Sequence, residues 1–477
     1  MANKWNQISS IYLSSKEEEE DDDEEEEEEE EDREEYRKGG YHFVLPGDQF
    51  FGSRYVAQKK LGWGNFSTVW LAYDTETKKF VALKIQKSAQ NFTVAALEEI
   101  EILRAISDGD PKGSKGVVKL LHHFNHTGPN GSHVCMVFEL LGESLLKLLR
   151  YNRYRGLPLP KVKDICHGII LGLDYLHREL RIIHTDLKPE NVMLTSSIDP
   201  SKDPHRSGLI PILERPEKKM NGGTIGVAGK KLRKKVKKPA ETEKVRSLEG
   251  IDFSCKIVDV GNACWKDKKF SAEIQTRQYR APEVILGYDY NEAVDMWSFA
   301  CVAFEIATGD MLFEPKNGEG FECDQDHLAL MIELLGKVPR KIAVGGSRSK
   351  DFFDRYGDLK NIKRLRFWPL IKVLIEKYKF MEADANEFVD FLSPLLDFAP
   401  EKRPTAAQCL QHPWILSRKS AAVADKNAKP LENIEVGVSK LNIKEVGVGK
   451  PSVKEAGLSR QNIRESGWSK VNVRLGK

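Results

Sequence analysis

The chain has 477 residues, 40% of them hydrophobic, which is enough for a sizeable core and more than one ordinary domain's length. Its 74 basic and 72 acidic residues nearly cancel, so net charge alone points to neither a nucleic-acid nor a membrane partner, and segregation of charge along the chain is the more informative signal. Seven cysteines stand singly without metal-type or disulfide-type spacing, and no apolar run approaches the roughly 18 residues of a membrane helix, so a disulfide scaffold and a helical membrane protein are excluded and a soluble protein of a reducing, intracellular compartment is expected.

Every residue from Glu17 to Asp32 is acidic. Such a block cannot offset its ordering entropy by burying apolar surface, so residues 1–40 are expected to form a disordered acidic tail. Order is expected from Tyr41-His42-Phe43-Val44, with a strand-rich region from Tyr55 to Ile85. Inside it, Leu61-Gly62-Trp63-Gly64-Asn65-Phe66-Ser67-Thr68-Val69 carries two glycines that let a backbone hairpin close over phosphates. A G-x-G alone is weak evidence. Val81-Ala82-Leu83-Lys84-Ile85 then places a lysine among apolar strand residues, where it needs a partner. The helical periodicity of Thr93 to Ile106 supplies one: Glu99 has Ala95, Ala96, Ile102 and Leu103 at three- and four-residue offsets, on the apolar stripe. The apolar strand from Val134 ends at Glu139-Leu140-Leu141-Gly142, and two helical patterns follow, Ser144 to Arg150 and Leu159 to Arg178.

Ile183-His184-Thr185-Asp186-Leu187-Lys188-Pro189-Glu190-Asn191-Val192-Met193-Leu194 reads as a short polar loop between apolar runs. In phosphoryl transfer an aspartate accepts the proton of an attacking hydroxyl, a nearby lysine neutralises the moving phosphate, and an asparagine holds Mg2+. Asp186, Lys188 and Asn191 fit those roles. From Thr195 to about Gly250 the pattern dissolves into Ser, Pro, Gly and Lys, with a basic cluster from Lys230 to Lys238. So long a structureless stretch is expected to be an insert looped out of a lobe. The cluster reads as a nuclear localisation signal, a phosphate-binding patch, a mate for the acidic tail or a solvated linker. Order resumes at Cys255-Lys256-Ile257-Val258-Asp259-Val260-Gly261, an apolar strand ending in an acid before a glycine.

These elements together resemble a protein kinase: H-x-D-x-K-x-x-N before an apolar strand, the glycine hairpin, the strand lysine, Asp259-Val260-Gly261 and Ala281-Pro282-Glu283. The resemblance implies an α+β, bilobal fold, with a β-rich N-lobe at about 41–139, a helical C-lobe at about 142–415 and an insert at about 195–250. ATP and Mg2+ are then expected in the cleft between the lobes. Leu61, Gly62, Trp63, Gly64, Asn65, Phe66, Ser67, Thr68, Val69, Ala82, Lys84, Glu99, Glu139 and Leu141 would form the nucleotide site, and Asn191 and Asp259 would hold metal. Asp186, Lys188 and Thr276 would be catalytic, with Thr276 bridging the other two. Glu283 is expected to pair with Arg403, and Asp295 to brace the catalytic loop. Two positions depart from the pattern: Ser67 stands for the third glycine and Val260 for the usual phenylalanine. Thr185 replaces the arginine that ordinarily binds an activation-loop phosphate, so activity without loop phosphorylation is expected.

Longer words narrow the family. Gly-Trp-Gly-Asn-Phe-Ser-Thr-Val-Trp-Leu at 62 to 71, His184-Thr185-Asp186, Val258 to Trp265, Gln275-Thr276-Arg277-Gln278-Tyr279-Arg280 and Glu333 to Lys341 resemble the SR-protein kinases, from about Tyr36 to Trp414 without the insert. The resemblance implies arginine/serine-rich splicing factors as substrates and partners, no direct nucleic acid or membrane contact, a monomer, and residence in cytoplasm and nucleus. Charge agrees: Asp310, Glu314, Glu319, Glu322, Asp324, Asp326 and Glu333 face one Lys316, a patch that attracts an arginine-rich peptide. By position, Asp310, Asp326, Glu333 and Lys377 match the family's docking groove, and Arg277 and Arg280 are candidates to receive phosphoserines. A kinase of another substrate class and an inactive, binding-only scaffold remain open at this point. After Trp414 the words stop, and a ten-residue repeat from Leu441 to Lys470 departs from the family in a tail running from 416 to 477.

Overall fold

The strand-rich first part forms one antiparallel sheet of six strands, in the order β1-β2-β3-β4-β6-β5. These are β1 (Gln49–Phe50), β2 (Tyr55–Gly64), β3 (Ser67–Asp74), β4 (Lys79–Gln86), β5 (Leu120–Gly128) and β6 (Gly131–Glu139). Alternation of small and large apolar residues on β3 and β4 buries Leu71, Ala72, Leu83 and Ile85 completely or nearly so, each large one contributing about 1.5–3 kcal/mol. Helix α1 (Gln90–Gly109) lays Ala96, Glu99, Ile100, Leu103 and Ile106 inward, so its apolar stripe carries one acid into the interior. The computed structural model describes residues 31–215, 247–269 and 271–418. Most of the acidic run, the Lys230–Lys238 cluster and the ten-residue repeats lie outside the described residues.

The second part is helical, as the two-lobe expectation requires. Helix α2 (Leu145–Tyr151) is N-capped by Ser144, whose hydroxyl accepts from the Lys147 amide. Helix α3 (Leu159–Asp174) runs through a π-helical stretch to Arg181, whose φ of 59° turns the chain into β7 (Ile182–Ile183). Next come β8 (Val192–Leu194), β9 (Cys255–Ile257) and β10 (Cys264–Trp265), where β8 pairs with β9 and β10 with β7. Helix α4 (Pro282–Leu286) precedes α5 (Ala293–Thr308), every residue of which is buried. A helix apolar all round belongs in the centre of a lobe, and its polar members therefore need partners. Helix α6 (Cys323–Leu335) opens with a capping box between Glu322 and Gln325. Among the described residues no helix is long and apolar enough to cross a membrane.

Two expected boundaries are corrected. Order does not wait for Tyr41: Glu31 pairs with Lys60 of β2, Glu35 reaches Lys87 at 2.7 Å, and the Gly39 amide donates to the Asn130 carbonyl at 3.0 Å. Nor does the chain leave the domain at Thr195. The Thr195 amide donates to the Ser254 carbonyl at 2.8 Å, Glu143 takes the Ile198 amide at 2.8 Å, and further on Ile212 exchanges bonds of 2.7 and 2.8 Å with the side-chain amide of Gln58. Residues 195–215 thus run from the helical lobe back to the sheet. A single glutamine satisfying one backbone amide and one carbonyl leaves no periodic trace in the sequence, which is why composition reads the segment as structureless.

Candidate active site

Strand β4 sits between β3 and β6, with Lys84 opposite Val69 and Met136. Its ammonium reaches both oxygens of Glu99, at 2.8 and 2.9 Å, and lies 3.8 Å from Asp259. Burial pulls the Lys84 ammonium down, but the two carboxylates outweigh it and hold it above its ordinary value. A Cβ placed on Gly261 would stand 3.5 Å from Asp259 Oδ1 and 3.6 Å from Glu99 Oε2, so both acids converge on this lysine. Asp259 holds a φ of 59°, and Val260 behind it is buried in the cluster that also contains Leu103 and Tyr175. The smaller valine therefore packs under α1 without turning the carboxylate away.

The catalytic loop is fixed from beneath by Asp295 of α5. One oxygen accepts the His184 amide at 2.8 Å and the His177 Nε2–H at 2.8 Å, and the other takes the Thr185 amide at 2.9 Å. Burial alone would raise this carboxyl, yet the His177 and His184 donors keep it below the usual aspartate range. Asp186 has both oxygens engaged. Oδ1 accepts from the Thr276 hydroxyl at 2.6 Å and its amide at 3.1 Å, while Oδ2 accepts from Lys188 at 2.9 Å and from Asn191 at 3.3 Å. Lys188 also donates to the Thr276 hydroxyl at 3.0 Å, closing the bridge expected of that threonine. The Val258 amide donates to the Asn191 carbonyl at 2.9 Å, which brings the strand before Asp259 alongside the loop.

The glycine hairpin is the β2–β3 turn, with Gly64 paired to Ser67. Ser67 already belongs to β3, is buried and pairs with Gln86, so that position is an ordinary strand site with no need of glycine. Leu61 to Val69 and Ala82 all lie on β2, β3, their turn or β4. At the junction of the lobes the Glu139 amide donates to the Lys119 carbonyl at 3.3 Å. The Glu139 carboxylate takes Lys256 at 2.7 Å and the Lys119 amide at 2.9 Å. Its side chain is thus committed, and any adenine contact falls to backbone groups up to Leu141. Asn191 and Asp259 offer hard oxygen donors that suit Mg2+, which uses few protein ligands together with nucleotide phosphates. Among the described residues no group of three His, Cys, Asp or Glu side chains forms a self-sufficient metal site.

Helix α6 presents Asp326 and Glu333 two turns apart, on one face. Asp326 accepts the Lys316 amide at 2.8 Å, Glu333 accepts the Arg366 amide at 2.9 Å, and burial pushes the Glu333 carboxyl up. Asp310 meets Lys377 at 3.0 Å and the Tyr378 hydroxyl at 2.9 Å. Asp324 departs from the expected free acid. It is held by Arg277 and, at 2.9 Å, by Arg348, a residue that sequence reasoning missed. The Arg280 guanidinium is oriented by the segment's own backbone, donating to the Ile274 carbonyl at 3.0 Å and the Gln275 carbonyl at 2.9 Å. Glu305, also missed, sits under the Tyr279 hydroxyl at 2.7 Å; burial pushes its carboxyl up to about 7.

A protein kinase domain family matches residues 55–202 and 229–415. Protein kinase dsk1 of Schizosaccharomyces pombe is 41% identical over 457 residues, covering 80% of this chain and 84% of that protein. Serine/threonine-protein kinase SRPK of Physarum polycephalum is 47% identical over 399 residues, covering 80% and 90%. SRSF protein kinase 3 of Homo sapiens is 36% identical over 508 residues, covering 80% and 89%.

Proposed function

The chain belongs to the SR-protein kinase family of serine/threonine protein kinases, and from that premise we propose that it transfers the γ-phosphate of ATP to serines of arginine/serine-rich splicing factors without phosphorylation of its own activation segment. In this reading Asp186 orients the substrate hydroxyl and takes its proton, and Lys188 offsets charge on the transferring phosphoryl group. Lys84, steadied by Glu99, aligns the nucleotide phosphates. Mg2+, held by Asn191 and Asp259, would neutralise phosphate charge as it develops.

One chain of contacts carries the substrate reading: Asp186 bonds Thr276, the next residue Arg277 pairs with Asp324, and Asp324 opens the helix bearing Asp326 and Glu333. The acidic face is therefore tethered to the phosphoacceptor site. Glu314, Glu319 and Glu322 beside it are exposed. Initial rates on Arg-Ser repeat peptides are expected to exceed those on Ser-Pro peptides by at least about ten-fold, and to fall steeply between low and physiological salt as screening weakens the attraction. Equal rates on both peptides, or insensitivity to salt, would sink the assignment.

Phosphate independence rests on the anchors of the activation segment. The Thr185 hydroxyl donates to the Asn262 carbonyl at 2.8 Å, Cys264 and Trp265 pair with Ile183 and Ile182, and Lys266 reaches Glu292 at 2.6 Å. Buried Gln275 donates to the Val294 carbonyl at 2.9 Å and the Ser298 hydroxyl at 2.8 Å, and accepts the Ala281 amide at 2.9 Å. These contacts hold the segment without drawing on a phosphate–arginine pair of the kind that orders the segment in switched kinases. Phosphatase-treated protein, verified by mass spectrometry, is expected to keep its activity within about two-fold; a large loss restored by phosphorylation would refute this.

A further inference from the structure

The residues just before the sheet, absorbed neither by the cleft nor by the docking face, form a strap against the glycine hairpin. Tyr41 is buried, and its hydroxyl donates to the carbonyl of Gly64, the second glycine of the phosphate loop, at 2.7 Å. The strap itself is tied on both sides. The Asn130 side-chain amide donates to the Tyr41 carbonyl at 2.7 Å, the Tyr41 amide donates to the Glu35 carbonyl at 2.9 Å, and the Lys87 ammonium lies 4.3 Å from the centre of the Tyr41 ring. Lys87 in turn donates its amide to the Phe66 carbonyl at 2.8 Å, and the Phe66 ring meets Phe92 of α1 at 5.7 Å. Two peptide groups of the hairpin tip, those following Gly64 and Phe66, are thus held from outside it.

We propose that Tyr41 is a positioning residue for the nucleotide: its hydroxyl fixes the Gly64 peptide plane, and with it the opposite-facing Asn65 N–H, in the orientation that receives phosphate. The reasoning is geometric. A trans peptide carries its C=O and N–H on opposite sides, so anchoring one aims the other. Glycine at 64 supplies little restraint of its own, because it lacks a side chain and a Cβ there would meet nothing within 4 Å. A loop that must lie close to phosphates therefore takes its order from a neighbour, and Tyr41 is the neighbour in contact. Pre-ordering of this kind lowers the entropic cost of binding the nucleotide. It leaves the proton-transfer geometry at Asp186 untouched. The proposal rests on ATP as the occupant of the cleft.

Tyr41→Phe in the full-length protein is the test, since the ring and its packing remain and one hydroxyl is lost. The Michaelis constant for ATP is expected to rise about five-fold, the size of one lost hydrogen bond, and the dissociation of a fluorescent ADP analogue to quicken alike. The turnover number and the peptide Michaelis constant should stay within about two-fold, a split that general destabilisation does not produce. The nucleotide-free melting midpoint should be unchanged. An unaltered ATP constant, or a fall in all kinetic parameters together with the melting midpoint, would overturn the proposal. Failure of the parent protein to bind the ADP analogue would instead overturn the nucleotide reading, and the role of Tyr41 with it.

Discussion

Asp186→Asn is expected to lower the turnover number by about 10²- to 10⁴-fold, the usual contribution of a general base, while peptide affinity and the melting midpoint barely change. The reasoning follows from the four donors around the carboxylate. Thr276, Lys188 and Asn191 hold both oxygens in place, so an amide of the same shape can occupy the site. It cannot accept a proton from serine, and its NH2 group would face either the Thr276 hydroxyl or the Lys188 ammonium, both donors to the present oxygens. Asp326 and Glu333, proposed to dock the peptide, lie on another element and keep their contacts. Single-turnover phosphorylation of an Arg-Ser peptide, set beside equilibrium binding of the same peptide, separates the two effects. A loss below about ten-fold would show that the base is elsewhere, and a parallel loss of binding would show that Asp186 acts in docking.

The parts of this site that were legible from the sequence share a short range or a period. Asp186, Lys188 and Asn191 stand within one loop, and Glu99 stands out among its neighbours because three- and four-residue offsets report which side of a helix is buried. The bracing role of Asp295 and the Glu283–Arg403 pair followed from family words instead. What escaped was pairing between distant side chains and backbone. Asp324 looks in the sequence like one more free acid in an acidic stretch, yet two arginines, one 47 positions before it and one 24 after, neutralise it. The sequence shows Arg280 as a cation suited to a phosphate and gives no sign that it also donates to carbonyls five and six residues away. In the sequence Tyr41 marks only the expected start of order, and nothing in its surroundings announces a bond to Gly64, 23 residues on. Such contacts depend on how elements stack, which hydropathy periods do not encode.

Arg403→Ala is expected to cost about 3–5 kcal/mol of stability, the penalty for leaving half of a buried ion pair uncompensated. The Arg403 side chain is fully buried and that of Glu283 is 2% exposed. Two parallel bonds of 2.7 Å join them, and the same guanidinium also donates to the Ala293 carbonyl at 3.0 Å and the Asp397 carbonyl at 2.8 Å while lying 5.0 Å from the Trp297 ring centre. Alanine would strand a carboxylate and two carbonyls beside the central helix α5. Arg403→Lys should recover little, because a single ammonium cannot reproduce the planar fork that meets both oxygens of Glu283. The double variant Glu283→Leu with Arg403→Met should recover most of the loss, since it removes the charge that the single variant leaves buried. Urea unfolding of the parent, Glu283→Leu, Arg403→Met and the double variant forms a cycle in which the expected coupling is large and of opposite sign to the single losses. Independent, additive losses would mean that the pair exerts no mutual stabilisation and that packing around Trp297 alone holds this end of the helical lobe.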